Sequence, residues 1–159
     1  YDIRLSLVGS EMCIRDRYEI ARNYVREFDV SVRHELGPKT RQVIEDGWHV
    51  STDEYLRLRA VTRHARDKFA AFSNEFDAVM VPAAPGDAPD ISATGNPIFS
   101  RVWSLLGTPA IALPAGAGES NLPVGVQFVA DLDADIRLID ICKQVEILLE
   151  GRAPQIAFA

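Results

Sequence analysis

Nucleophilic hydrolysis needs a hydroxyl or thiol beside a base, usually exposed on a glycine-rich turn. The sequence offers no such arrangement: no G-x-S-x-G, no glycine–serine cluster, no phosphate-cradling G-x-x-x-x-G-K and no G-x-G-x-x-G. His34, His49 and His64 are scattered, with no histidine pair or Cys/His set at zinc-ligand spacing. Each is expected to be structural or solvated. Cys142 falls on an apolar stripe, where a thiol acts as a small hydrophobe. Asp131, Asp133 and Asp135 alternate as cation ligands can, but the remaining oxygen donors of a calcium loop are missing, and helix capping explains them more simply. The expected catalytic residues are therefore none, and the expected metal ligands none.

The 159 residues make one ordinary domain's length of chain, with 47% apolar and 25% charged residues, the balance of a chain that builds a core. Seventeen Lys and Arg face 23 Asp and Glu, a net charge of −6, which argues against a nucleic-acid surface. No apolar run reaches the ~20 residues of a membrane span. Residues 5–17, LSLVGSEMCIRDR, resemble the translation of a sequencing adapter, so residues 1–17 are expected to be foreign to the protein and 18–159 to be its native part. The bland alternative is a strand over Leu5–Val8 and a turn at Gly9-Ser10. Without Cys13, Cys142 has no thiol to pair with, and a reducing, cytoplasmic setting is the default.

The elements that would position a site fall in two stretches. Residues 18–76 balance ten basic against ten acidic side chains, whereas 77–159 hold four against ten along with most of the prolines and glycines. The first reads as helices: a stripe from Tyr18 through Ala21, Tyr24, Val25, Phe28 and Val32 to Leu36, then Lys39–Asp46, then a long helix opened by a capping box at Ser51–Glu54 and running to Phe76. The Arg57–Lys68 cations share that helix with four carboxylates and read as a solvated face. The second stretch reads as α/β. Asp77–Ala83 is a strand covered on both sides, and Asn96-Pro97 opens a helix that Gly107 and Pro109 close. Ala-rich PAIALPA and PVGVQFVA form an antiparallel hairpin. Asp133 or Asp135 caps a last helix whose buried stripe is Ile136, Ile139, Cys142, Val145 and Leu149.

The order FDAVMVPAAPGDAP, TGNPIFSRVWSLLGTPAIALPAG and LPVGVQFVADLDADIRLIDICKQVE resembles the C-terminal part of an amidase signature family enzyme, from about Gly47 to Glu150. The resemblance implies an α/β fold, an α/β/α sandwich around a mixed sheet, of which this chain is an incomplete C-terminal part. It implies hydrolysis of a carboxamide by a serine nucleophile, a second serine in a cis peptide bond and a lysine as ultimate base, with no metal and no cofactor. In that family these residues and the glycine–serine stretch lie upstream of the part matched, and Lys39, Lys68 and Lys143 have no matching context.

The chain is thus expected to give scaffold and acyl-pocket wall, with Thr94, Asn96, Phe99 and Trp103 at a loop-to-helix junction as the wall; core packing is the competing reading for the two aromatics. The expected partner is a small-molecule amide in the complete protein, with neither nucleic acid nor membrane, and a homodimer is an open assembly. Two other readings stand beside this one: a non-catalytic α/β binding module, and the A subunit of a glutamine-dependent tRNA amidotransferase. The family's amidotransferase branch usually carries an aspartate just ahead of this helix; Thr94-Gly95-Asn96-Pro97 has no carboxylate there.

Overall fold

The computed structural model describes residues 5–25 and 33–150, with residues 5–12 described by their backbone alone. Contacts divide the chain into two compact units, residues 1–64 and 65–159. The first holds α1 (Leu5–Asn23), a 3-10 turn at Arg33–Glu35, α2 (Pro38–Trp48) and the opening of α3 (Thr52–Ser73). Among the described residues its buried apolar side chains are Ala21, Ile44 and Leu58. Tyr18 of α1 stacks on Tyr55 of α3 at 4.1 Å, nearly parallel. The Arg22 guanidinium lies 3.3 Å over the Tyr18 ring and donates to the Gly47 carbonyl, so one cation ties α1 to the end of α2. Tyr55 donates to Glu19, and its desolvation together with that carboxylate pushes its phenol up from the usual range.

The backbone over Leu5–Val8 is helical, which corrects the alternative of a strand and turn there: α1 is one continuous helix ending at Asn23. The Tyr18 stripe therefore lies on a helix that begins earlier than expected. Phe28 and Val32 lie outside the described residues, and Leu36 follows the 3-10 turn, outside any α-helix. Ser51 caps α3 as expected, its hydroxyl accepting the Glu54 N–H at 3.1 Å. The helix ends at Ser73, short of Phe76. Its Arg57, Arg59 and Lys68 are exposed, as a solvated face requires.

The second unit is built on a three-stranded antiparallel sheet ordered β1-β3-β2, from β1 (Val79–Pro82), β2 (Ala110–Ala117) and β3 (Pro123–Val129). The β2–β3 hairpin is present, with a register shift between Pro114 and Gly116, where the proline can contribute no ladder N–H. Parallel pairing of the expected mixed sheet involves none of these strands. One face, carrying Ile111, Leu113, Val126 and Phe128, is covered by α5 (Asp135–Leu149) through Leu138, Cys142, Val145 and Leu149.

Three expectations change here. β1 is not covered on both sides: its burial alternates and Met80 is 63% exposed. The buried line of α5 runs through Leu138 rather than Ile136, which is 75% exposed, and Ile139. Nor does an aspartate cap α5. Ala134 occupies the N-cap with no side-chain bond, while Asp133 takes a left-handed φ of 63° in the turn before it.

Leu138 is fully buried against the sheet. Leu138→Ala should therefore cost about 2–5 kcal/mol by urea denaturation, as for other buried Leu→Ala changes. Ile136→Ala on the open face should stay within about 0.5 kcal/mol. Equal losses at both positions would contradict this placement of the core.

Candidate functional site

The four residues expected to wall a pocket lie along one path from β1 to β2. Asn96 Oδ1 accepts the Ile98 N–H at 3.2 Å and the Pro97 carbonyl takes the Ser100 and Arg101 N–H groups, so Asn96-Pro97 opens a turn rather than the helix. Helix α4 proper is Arg101–Leu106, six residues, which corrects the start expected at Asn96. Thr94 and Asn96 are exposed; Phe99 and Trp103 are half-buried. The structure thus brings the two aromatics to one junction and leaves the two polar residues on solvent.

Trp103 is held from two directions. Its ring meets Phe69 of α3 at 5.4 Å, tilted by 53°, within the centroid range of favourable aromatic pairs. Its carbonyl accepts the Gly107 N–H at 2.7 Å and the Thr108 N–H at 3.2 Å, with Gly107 at φ 71°, a conformation a side chain would strain. Arg66 Nε donates to the Leu106 carbonyl, placing a cation at the negative end of α4. The indole Nε1–H itself is shut off from solvent and meets no acceptor, a state shared by Thr108 Oγ1 and Gln127 Oε1. A buried donor without a partner costs free energy.

No nucleophile emerges around this junction. Among the described residues the Ser100 and Ser104 hydroxyls hydrogen-bond no histidine, lysine or carboxylate, and no group of three or more His, Cys, Asp or Glu could hold a metal ion. His34, His49 and His64 are exposed, and His49 Nδ1 lies 2.8 Å from the Glu45 carbonyl. Asp131 accepts the Leu132 N–H. Lys143 meets Asp140 at 3.5 Å. A cleft of about 80 Å³ does open elsewhere, between the end of α3 and the turn after it, the end of β3 and the start of α5, where Arg137 pairs with Asp77 at 2.5 Å. The arrangement at α4 leaves part of the Phe99 and Trp103 side chains open as apolar surface, with the indole N–H turned away from solvent. The supports for Trp103, Phe69 and Arg66, were missed by sequence reasoning. No local spacing signals a contact made across some 40 residues.

Residues 10–139 match the Amidase family. The A subunit of the glutamyl-tRNA(Gln) amidotransferase of Neisseria meningitidis serogroup C is 32% identical over 110 residues, 64% of this chain and 23% of its own length. The 2-amino-5-chloromuconic acid deaminase of Comamonas testosteroni is 28% identical over 130 residues, 74% of this chain and 28% of its own. The chain thus spans about a quarter of the length of these curated relatives. Among solved structures, an amidase superposes at a TM-score of 0.81 with 23% identity, covering 93% of this chain and 37% of that one. A 6-aminohexanoate cyclic dimer hydrolase superposes at 0.71 with 20% identity, covering 98% and 39%. These superpositions show the fold: the chain shares an α/β arrangement of the amidase type.

Cys142 is buried in the α5 core, and burial, with Glu146 nearby, pushes its thiol up. The thiolate is the reactive form. Iodoacetamide at pH 8 should therefore alkylate Cys142 at least about tenfold more slowly than a free thiol, with denaturant removing the difference in a mass-spectrometric time course. Fast labelling in the folded chain would expose a reactive cysteine.

Proposed function

Because the chain belongs to the Amidase family, we propose that it supplies the C-terminal sheet scaffold and the acyl-pocket wall of a serine amidase hydrolysing a carboxamide C–N bond, without the Ser-Ser-Lys residues. The observation that carries the reading is a mismatch of coverage. The family match takes in residues 10–139, while the match to a curated relative takes in 23% of that relative's length. The serine that attacks the carbonyl, the lysine that takes its proton and the donors that hold the oxyanion belong, on this reading, to the remainder of the enzyme. Hydrolysis needs those groups preorganised about the reacting carbon. This chain's share is the wall: Phe99 and Trp103 as apolar surface on the acyl side, Thr94 and Asn96 as polar groups at its rim.

The substrate on this reading is a small-molecule amide and the setting the reducing cytoplasm, with the assembly left open, a homodimer among its forms. Among the described residues no helix is long and apolar enough to cross a membrane. Residues 1–17 are, on the same reading, foreign to the native protein. A second reading, the A subunit of a tRNA amidotransferase, draws on the 32% identity to the Neisseria protein. It requires glutamine-dependent activity and copurifying partner subunits in the complete protein. The absence of a carboxylate at Thr94–Pro97 favours the free-standing amidase.

The coding sequence upstream, once the adapter-like stretch is removed, should encode a lysine followed by a glycine–serine cluster. Its absence would end the proposal. The 159-residue chain alone should hydrolyse neither amides nor esters above background. Turnover that survives Ser100→Ala and Ser104→Ala would reveal an active residue within the chain and overturn the scaffold reading.

A further inference from the structure

Asp87 sits where the segment leaving β1 passes the tip of the β2–β3 hairpin. Its Oδ2 accepts the Ser120 N–H at 2.6 Å, across 33 residues of chain. Its Oδ1 is closed off from solvent and has no hydrogen-bond partner. That oxygen lies so near Gly118 that a Cβ built there would fall inside the carboxylate. The tip is a preformed seat: Gly118 N–H donates to the Leu122 carbonyl at 2.8 Å, Asn121 N–H donates to the Gly118 carbonyl at 3.1 Å, and Asn121 takes a φ of 58°. Glycine at 118 is what lets the carboxylate in.

The segment needs a tether. At its start the Ala83 N–H donates to the Gly125 carbonyl at 3.0 Å. Beyond Asp87 the hydrogen bonds described for it are local. The Ser92 N–H and hydroxyl both donate to Asp90 Oδ1, holding that carboxyl below its usual range, and the Ala93 N–H donates to the Asp90 carbonyl. Residues 88–98 are exposed, Ile91 completely. Charge-assisted bonds to a carboxylate are short and strong, and a stretch with few buried contacts opens at little cost. A single ionic hydrogen bond can therefore decide where such a stretch runs.

We propose that Asp87 is a positioning residue: latched onto Ser120 and Gly118, it fixes the course of residues 84–97, and with it the approach of Thr94 and Asn96 to the Phe99–Trp103 wall. The last part rests on the pocket-wall reading above. The latch itself rests on the geometry alone.

Hydrogen–deuterium exchange on the 159-residue chain tests the latch. Asp87→Ala should speed exchange at Ser120 by about tenfold, and should also speed it at Ser92 and Ala93, whose N–H groups are hydrogen-bonded within the exposed stretch. Asp87→Asn keeps an acceptor oxygen without the charge and should hold part of the protection, falling between the wild type and Asp87→Ala. Gly118→Ala evicts the carboxylate without removing it and should reproduce the Asp87→Ala result. Unchanged exchange at Ser120 in both Asp87→Ala and Gly118→Ala overturns the latch. In the unaltered chain, exchange at Ser120 as fast as in an unstructured peptide overturns it as well, whatever the variants do. In the complete amidase, Asp87→Ala should raise KM about fivefold with kcat within about twofold, the loss of uniform substrate binding. Loosened exchange with an unmoved KM would leave the latch standing and remove the pocket-wall reading beneath it.

Discussion

The second unit depends on one act of burial, α5 closing over the apolar face of a three-stranded sheet. Such a sheet has too little surface of its own to be stable in water and needs a covered face. Leu113 and Phe128 from the sheet and Leu138 and Cys142 from the helix are buried together. Each large aliphatic or aromatic group so removed from water contributes about 1.5–3 kcal/mol. β3 is central to this arrangement, paired on one side with β1 and on the other with β2. Everything said of the candidate wall hangs from those pairings, since the segment carrying it leaves β1 and enters β2.

The same sheet and helix also display what they leave uncovered. Ile136, Ile147 and Leu148 of α5 are each more than two-thirds exposed, and Met80 stands out from β1. Phe72 and Phe76, stacked in a tilted pair at 5.4 Å, are about half-exposed. Large apolar side chains gathered on one helix mark surface meant to be covered, and unpaired strand edges invite further strands. The solved amidase that shares the fold is matched over only 37% of its length.

How much of this was legible in the sequence depended on how local the signal was. Ser51 and Gly107 declared a helix start and a helix end because capping is decided within four residues, and both caps are in place. The hairpin was legible for the same reason. The face of α5 was not. Ile136, Leu138, Ile139, Ile141, Cys142, Val145, Ile147, Leu148 and Leu149 surround most of that helix, so periodicity alone could not choose the side that meets the sheet. Asn96 misled through competition: its side chain closed a local turn at Ile98 and delayed the helix to Arg101. The partners that fix Trp103, and the seat of Asp87, come from distant chain and leave no local trace.

The stretch from Thr94 to Trp103 is held unequally along its length. At the Trp103 end an aromatic contact, a left-handed glycine and an arginine on the last carbonyls converge, and α4 can shift only if several of them break together. At the Thr94 end an exposed stretch is held by local turns and by the carboxylate of Asp87. A pocket that must place a carbonyl accurately for attack needs the first kind of support, because small displacements of the reacting carbon are costly. One that must admit differently shaped acyl groups gains from the second. The division places rigidity beside the sheet, where burial maintains it, and tolerance to substitution in the 88–97 stretch, where few contacts depend on which side chain is present.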